Sequence, residues 1–292
     1  MNNNNTQQWT LLEVLNHAVS FLKSKNIENP RLNAEHLLAH TLGKSRMDLY
    51  LDFKKPLTKA EREKYKKLLF RRAEHEPLQY IMEETEFMSL PFYVSPDVLI
   101  PRPETEILVE KVIEWSSAKK GLHILDIGCG SGTIAVSLAK YIEEVSITAV
   151  DISEKILNVA RHNAEVNGVS EKIKLMCSDV KKENFTAQFS DTFNTVVSNP
   201  PYISRDEWET LPEEVQSHEP RQSLCDEADG LTYFQLISNK AMSLLQSGGA
   251  LFFEVGYTQS REVQEILKQQ GYKEIRSFPD LNQIERVVTG VK

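Results

Sequence analysis

Cysteine is scarce in this 292-residue chain: there are three, Cys129, Cys177 and Cys225, far apart and without a CxxC pair. That argues against a disulfide framework or a zinc-ribbon site and fits reduced thiols. No stretch approaches the ~18 consecutive apolar residues of a membrane span, and the opening MNNNNTQQ has no apolar core for a secretory leader. An excess of positive charge is also missing, since 34 basic residues face 42 acidic ones for a net charge of −8. The imbalance is local: residues 1–85 carry 14 basic against 11 acidic groups, and 86–292 carry 20 against 31. Long-range attraction of the larger part to nucleic acid is therefore not expected. With 12 glycines and 12 prolines the chain is neither collagen-like nor of low complexity. What remains is 40% hydrophobic and 26% charged, enough for a large domain with a smaller companion, in the cytoplasm.

The first 77 residues read as a helical bundle. Thr10 and Glu13 form a capping box ahead of an apolar-periodic run, Pro30 suits a first helical turn, and Gly43 is placed to end that helix. Thr58 and Glu61 repeat the capping pattern before a basic segment that Pro77 closes. Residues 78–100, aromatic and β-branched around Met88-Ser89-Leu90-Pro91, predict an extended hairpin linker. From 101 to 292 helical patterns alternate with five short apolar strands, 122–128, 145–150, 172–179, 193–199 and 249–256, which predicts a mainly parallel, Rossmann-like sheet. The last two, 272–278 and 285–291, have no helix between them and predict an antiparallel finish, seven strands in all.

Strand 122–127 runs into Gly128-Cys129-Gly130-Ser131-Gly132 and then a helical pattern. Such a strand–glycine–helix unit lets a ligand lie against bare backbone beside N–H donors. Its spacing matches neither the dinucleotide GxGxxG nor a phosphate loop with Lys-Ser/Thr. Asp151, 23 residues after Gly128, ends the next strand where a carboxylate can accept from both ribose hydroxyls; the competing reading is a helix cap. Asp179 ends the third strand and suits an adenine amino group, or a loop cap. With no phosphate-binding lysine and an acidic surround, positively charged S-adenosylmethionine is favoured over NAD or ATP.

The fourth strand ends in Ser198-Asn199-Pro200-Pro201-Tyr202. Consecutive prolines fix φ and remove two backbone donors, so this stiff turn presents mainly acceptors. A planar –NH2 group needs that: the Asn199 side-chain oxygen and the Pro200 carbonyl can each accept one N–H, aiming the nitrogen lone pair at a methyl donor. Tyr202 can stack on the flat group or simply cover the core. His36 and His40, four apart, lack the intervening glutamate of a zinc protease, so no metal is expected. Glu104 and Glu106 suit either the donor's sulfonium or a helix's first turn. Nine acids within 205–230 form a rim that repels nucleic acid and suits a basic protein domain.

At these residues the chain resembles the HemK-type (PrmC) release-factor glutamine methyltransferases over nearly its whole length. The likeness includes EPLQYI (76–81) with Phe87, FYVSPDVLIPRPETE (92–106), DIGCGSG (126–132), SNPPY (198–202), HEPR (218–221), ADGL (228–231) and ERVVTG (285–290). The resemblance implies a seven-stranded class I methyltransferase domain, a linking hairpin and a small helical domain that helps to hold the substrate protein. It implies methylation, by S-adenosylmethionine, of the glutamine amide in the Gly-Gly-Gln motif of class 1 peptide chain release factors, leaving S-adenosylhomocysteine. Carried over by position, Gly128, Cys129, Gly130, Ser131, Gly132, Asp151, Asp179, Val180 and Asn199 contact the cofactor, and Asn199, Pro200, Pro201 and Tyr202 hold the glutamine. The sequence departs from the family at Glu83, where glycine is usual, and at Val180, where a bulky residue is common. A monomer is expected, with no nucleic-acid substrate and no membrane. The competing readings are methylation of DNA adenine or of another protein's glutamine, and a non-catalytic cofactor-binding partner of translation.

Overall fold

The computed structural model describes residues 9–292, so the MNNNNTQQ segment lies outside the described residues. The chain divides into two compact units, one ending at Glu83 and the other running Glu84–Lys292.

The first unit is helical. α1 (Leu11–Ser24) opens on the Thr10–Glu13 capping box and buries Leu11, Leu15, Ala18 and Leu22 along one stripe. α2 (Pro30–Leu42) has Pro30 in its first turn and ends at Gly43, whose φ of +61° supplies the left-handed cap. α3 (Arg46–Leu51) starts from a third capping box, Ser45 with Asp48. α4 (Lys59–Ala73) begins at Thr58–Glu61 but stops at Glu74, ahead of the expected terminator. Pro77 instead precedes α5 (Leu78–Met82), because a residue without an N–H loses nothing just before a helix. The expected extended segment from residue 78 is thus a helical turn at first. Leu15, Leu37, Leu38, Tyr65 and Leu69 share the core of this unit.

The second unit starts with a hairpin, β1 (Glu84–Phe87) and β2 (Leu90–Tyr93). Its turn is narrower than the sequence suggests: Met88 and Ser89 alone take φ of +51° and +57°, the mirror-image turn that matches strand twist, and Leu90 and Pro91 already belong to β2. The Met88 amide donates to Glu106 at 2.6 Å and the Tyr141 hydroxyl donates to the Met88 carbonyl at 2.6 Å, so side chains hold the turn in place of glycine.

α6 (Glu104–Ser116) leads into the main sheet of β3 (Leu122–Ile127), β4 (Val145–Asp151), β5 (Ile173–Cys177), β6 (Phe193–Ser198), β7 (Leu245–Glu254), β8 (Lys273–Pro279) and β9 (Glu285–Val291). The strand order is β5-β4-β3-β6-β7-β9-β8; β9 pairs antiparallel with both β7 and β8, and the rest are parallel. The seven-stranded α/β sheet and its antiparallel finish agree with the sequence pattern, although β7 starts four residues before Gly249. α7 (Thr133–Tyr141) and α8 (Glu154–Val166) pack with α6 on one face, burying Leu108, Leu138 and Leu157 against Ile124 and Ile147. After the short α9 (Arg205–Trp208) and α10 (Glu213–His218), α11 (Thr232–Leu244) and α12 (Ser260–Gln269) cover the other face, where Phe234 and Val263 meet Leu125 and Phe253. Chain order reverses at β3, between β4 and β6. In open α/β sheets the crevice beyond the carboxyl ends at such a reversal is the ligand site. Among the described residues no helix is long and apolar enough to cross a membrane.

Candidate active site

A cavity of about 310 Å³ occupies that crevice. The glycine loop forms its floor, with Gly128, Gly130 and Gly132 at φ of +76°, +54° and +83°. A Cβ added at Gly128 or Gly130 would meet no protein atom within 4 Å, so the space beside that backbone is left for a ligand. Gly132 serves differently: its Cβ would lie 3.1 Å from Ala160 on α8, and this glycine lets helix and loop approach. Of the loop residues expected at the cofactor, Gly128, Cys129, Gly130 and Ser131 line the cavity and Gly132 does not.

Asp151 is built into the loop. One carboxylate oxygen accepts from the Gly130 amide at 2.9 Å and the other from Ile152 at 2.8 Å. The helix-cap reading fails, because the Ser153 hydroxyl caps α8. Burial raises the Asp151 pKa, and the backbone amides of Gly130, Ile152 and Ser153 offset part of that. Beneath the loop, Asp126 is fully buried, with neither carboxyl oxygen hydrogen-bonded. Burial first, and then the charge of Asp151, pushes its pKa up to about 8. Burial, together with Asp126 and Asp151, also raises the Cys129 thiol well above its usual value, which keeps it a neutral packing group.

Asp179 lies two residues past the end of β5, and its carboxylate accepts from the Lys181 amide at 2.8 Å, so the loop-cap reading holds alongside its place in the cavity wall. Val180 lines the wall next to it, with Tyr233 and Ile237 of α11 supplying further bulk.

Asn199, Pro200 and Pro201 reach the same cavity from β6. The Asn199 side-chain nitrogen donates to the Thr105 hydroxyl at 3.2 Å, which leaves its oxygen as the free acceptor. Tyr202 falls outside the cavity lining. It packs against the core on the α11 face, and its hydroxyl donates to Glu254 at 3.2 Å. Tyr202 braces the turn from the core side while staying partly exposed. Gln259 completes the brace, donating to the carbonyls of Tyr202 at 2.8 Å and Gly230 at 3.1 Å.

Neither Glu104 nor Glu106 lines the cavity, but Thr105 between them does. Glu106 is instead engaged by the hairpin turn. Sequence reasoning missed Thr105, Glu254 and Gln259; the only local signal was that Thr105 lies inside the RPETE run.

A sheet that reverses beside a glycine loop, with carboxylates on the next two loops, is the nucleoside-binding architecture of a methyltransferase domain. Residues 103–215 match the family model for the methyltransferase small domain. The fold is shared with a methyltransferase from Pyrococcus furiosus at a TM-score of 0.52 and 17% identity, covering 70% of this chain and 90% of that one. Residues 13–82 match the model for the PrmC N-terminal domain. The release factor glutamine methyltransferase of Chlorobaculum tepidum is 40% identical over 284 residues, 95% of this chain and 96% of its own. That of Geobacter sulfurreducens is 39% identical over 282 residues, 97% and 96% of the two chains. The chain belongs to the release factor glutamine methyltransferase family.

Proposed function

We propose that this protein transfers a methyl group from S-adenosylmethionine to the side-chain amide nitrogen of the glutamine in the Gly-Gly-Gln motif of class 1 peptide chain release factors. The observation that carries the reading is the placement of the Asn199-Pro200-Pro201 turn in one cavity with the glycine loop. The open space beside Gly128 and Gly130 fits a ligand laid on the backbone. Asp151 keeps lone pairs free for ribose hydroxyls after its two amide bonds, and Asp179 with Val180 suits the adenine edge and face.

S-adenosylmethionine supplies an electrophilic methyl on a positively charged sulfur. This chain's residues do the rest. An amide nitrogen is a poor nucleophile because its lone pair is delocalised. The Asn199 oxygen and the Pro200 carbonyl accept its two N–H bonds, hold it at the donor and favour the pyramidal geometry that frees the lone pair. Positive charge developing on that nitrogen meets two fixed dipoles that need no reorganisation, and the methylated nitrogen then gives up one of its two protons to water. The Asp151 carboxylate makes the floor electronegative, which suits a cation. The helices of the first unit hold the release factor, whose basic surface the acidic 205–230 rim accommodates. The site of action is the cytoplasm, where release factors work.

The test is incubation of enzyme, S-adenosylmethionine and a release factor, followed by peptide mass spectrometry. One added methyl on the Gly-Gly-Gln glutamine is expected; none, from enzyme shown to bind the cofactor, overturns the reading.

A further inference from the structure

The cavity has a second half that the glycine loop and the two carboxylate loops do not account for. Three segments wall it: 99–105, the Asn199-Pro200-Pro201 turn, and Gln222 with Ser223. Each is tied to a neighbour. The Glu219 carboxylate, 6% exposed, accepts from the Ile100 amide at 3.3 Å and from the Arg102 guanidinium at 2.5 Å. Asn199 donates to Thr105. Just past the turn, the Ile203 amide donates to the Leu224 carbonyl at 2.9 Å and the Asp226 amide donates to the Ile203 carbonyl at 3.0 Å. The short 3-10 turn Arg221–Ser223 is therefore pinned on both sides beside the reactive corner.

Along this pinned stretch almost every polar side chain is already engaged. Glu219 is held as above. Arg221 donates to the Glu227 carboxylate at 2.7 and 3.0 Å, with its guanidinium over the Trp208 ring. The Asp226 carboxylate accepts from the amides of Ala228, Gly230 and Thr232. The Gln222 carboxamide and the Ser223 hydroxyl hydrogen-bond none of the described residues, and they are the two that line the cavity. Gln222 is exposed and Ser223 half-buried, which places them at the mouth.

A glutamine that reaches Asn199 enters side chain first, so its main chain lies across this mouth. Peptide N–H and C=O groups leave water there, and any left without a partner weakens binding. A carboxamide presents a donor and an acceptor side by side, the complement of one residue's N–H and C=O in extended backbone. The Asn163 side chain makes this pairing with Tyr93 elsewhere in the fold.

We propose that Gln222, with Ser223 beside it, is a main-chain clamp for the substrate. Its carboxamide pairs with the N–H and C=O of the backbone next to the glutamine, and the Ser223 hydroxyl donates to a neighbouring carbonyl. A glycine before the glutamine suits such a clamp, because a side chain on that residue would stand between the carboxamide and the peptide it grips. These bonds are the same before and during methyl transfer, so the clamp acts on binding and leaves the chemical step to the Asn199 corner.

The inference rests on the substrate reading above, and its test separates the two. With wild-type enzyme and full-length release factor, methylation of the Gly-Gly-Gln glutamine supports the reading; its absence removes the reading and the clamp together. Given that activity, Gln222→Ala should raise KM for the release factor about tenfold, with kcat changed less than about twofold and cofactor Kd held. Gln222→Met keeps the length of the side chain without its hydrogen-bonding groups and should match Gln222→Ala. Ser223→Ala should raise KM about threefold. A release factor with alanine in place of the glycine before the glutamine probes the same contact from the substrate. Its penalty in kcat/KM should be about threefold or more smaller for Gln222→Ala than for wild type, since the truncated side chain no longer meets the added methyl. A wild-type KM in either Gln222 variant, or an equal alanine penalty in both enzymes, overturns the clamp and leaves the substrate reading standing.

Discussion

Asn163 and Tyr93 are joined by two hydrogen bonds: the Tyr93 amide donates to the Asn163 side-chain oxygen at 2.7 Å, and the Asn163 nitrogen donates back to the Tyr93 carbonyl at 3.0 Å. A side chain from α8 thus extends the ladder of β2 where no strand is available. The same nitrogen donates to the Ser131 carbonyl at 2.8 Å, so one fully buried residue ties the hairpin to the glycine loop.

Asn163→Ala should therefore cost about 3 kcal/mol of stability, because it orphans buried backbone groups in two segments. Denaturant unfolding reads the loss. Calorimetric titration should show weaker S-adenosylmethionine binding as well, since Ser131 loses its anchor.

Asp151→Asn should raise the cofactor Kd by about 10- to 100-fold. The amide nitrogen it introduces cannot accept from Gly130 or Ile152, and one charge-assisted bond is worth roughly 1.5–3 kcal/mol. Unchanged affinity in calorimetry would remove Asp151 from the site.

Asp126 links stability to pH. The folded protein keeps its carboxyl protonated up to about pH 8, well above the unfolded value of 3.8. Between those limits the folded state binds more protons, so stability falls as pH rises from about 4 to about 8. Asp126→Asn lifts the penalty: its melting temperature should exceed the wild type's by about 5 °C or more at pH 8, and match it at pH 4.5.

Gly230 lies under the tip. At φ of +85°, an added Cβ would stand 2.5 Å from the Tyr202 carbonyl and 2.6 Å from Gln259. Gly230→Ala should displace the turn and lower kcat about tenfold or more, with cofactor Kd changed far less. Steady-state kinetics alongside calorimetry separates the two effects.

Glu83 ends α5 with φ of +59°. A side chain in the left-handed region costs roughly 1–2 kcal/mol, which glycine avoids. Glu83→Gly should raise the unfolding free energy by about 1 kcal/mol, read as a higher denaturation midpoint with an unchanged slope.

Features carried by neighbouring residues were readable in the sequence. The Thr10–Glu13 and Thr58–Glu61 boxes, the glycine loop and the proline turn each close within a few positions, where spacing fixes geometry. The residues that orient the site were not readable. Thr105 meets Asn199 across 94 positions and Tyr202 meets Glu254 across 52, pairings that exist only once β6 lies between β3 and β7. The bracing side of Tyr202 was legible only as one of two readings, because an aromatic next to such a turn suits stacking and core cover alike until the core behind it is known. Pro77 misled: a proline reads as a stop, yet it sits as comfortably just before a helix.

Of the three thiols, Cys129 and Cys225 are buried and Cys177 is exposed, at the end of β5, with its sulfur 3.4 Å from the carbonyl of Ile152, a cavity-wall residue. The native chain thus offers a ready attachment point for a maleimide dye at the mouth of the crevice. A fluorophore placed there stands within reach of the cavity wall with no engineered mutation.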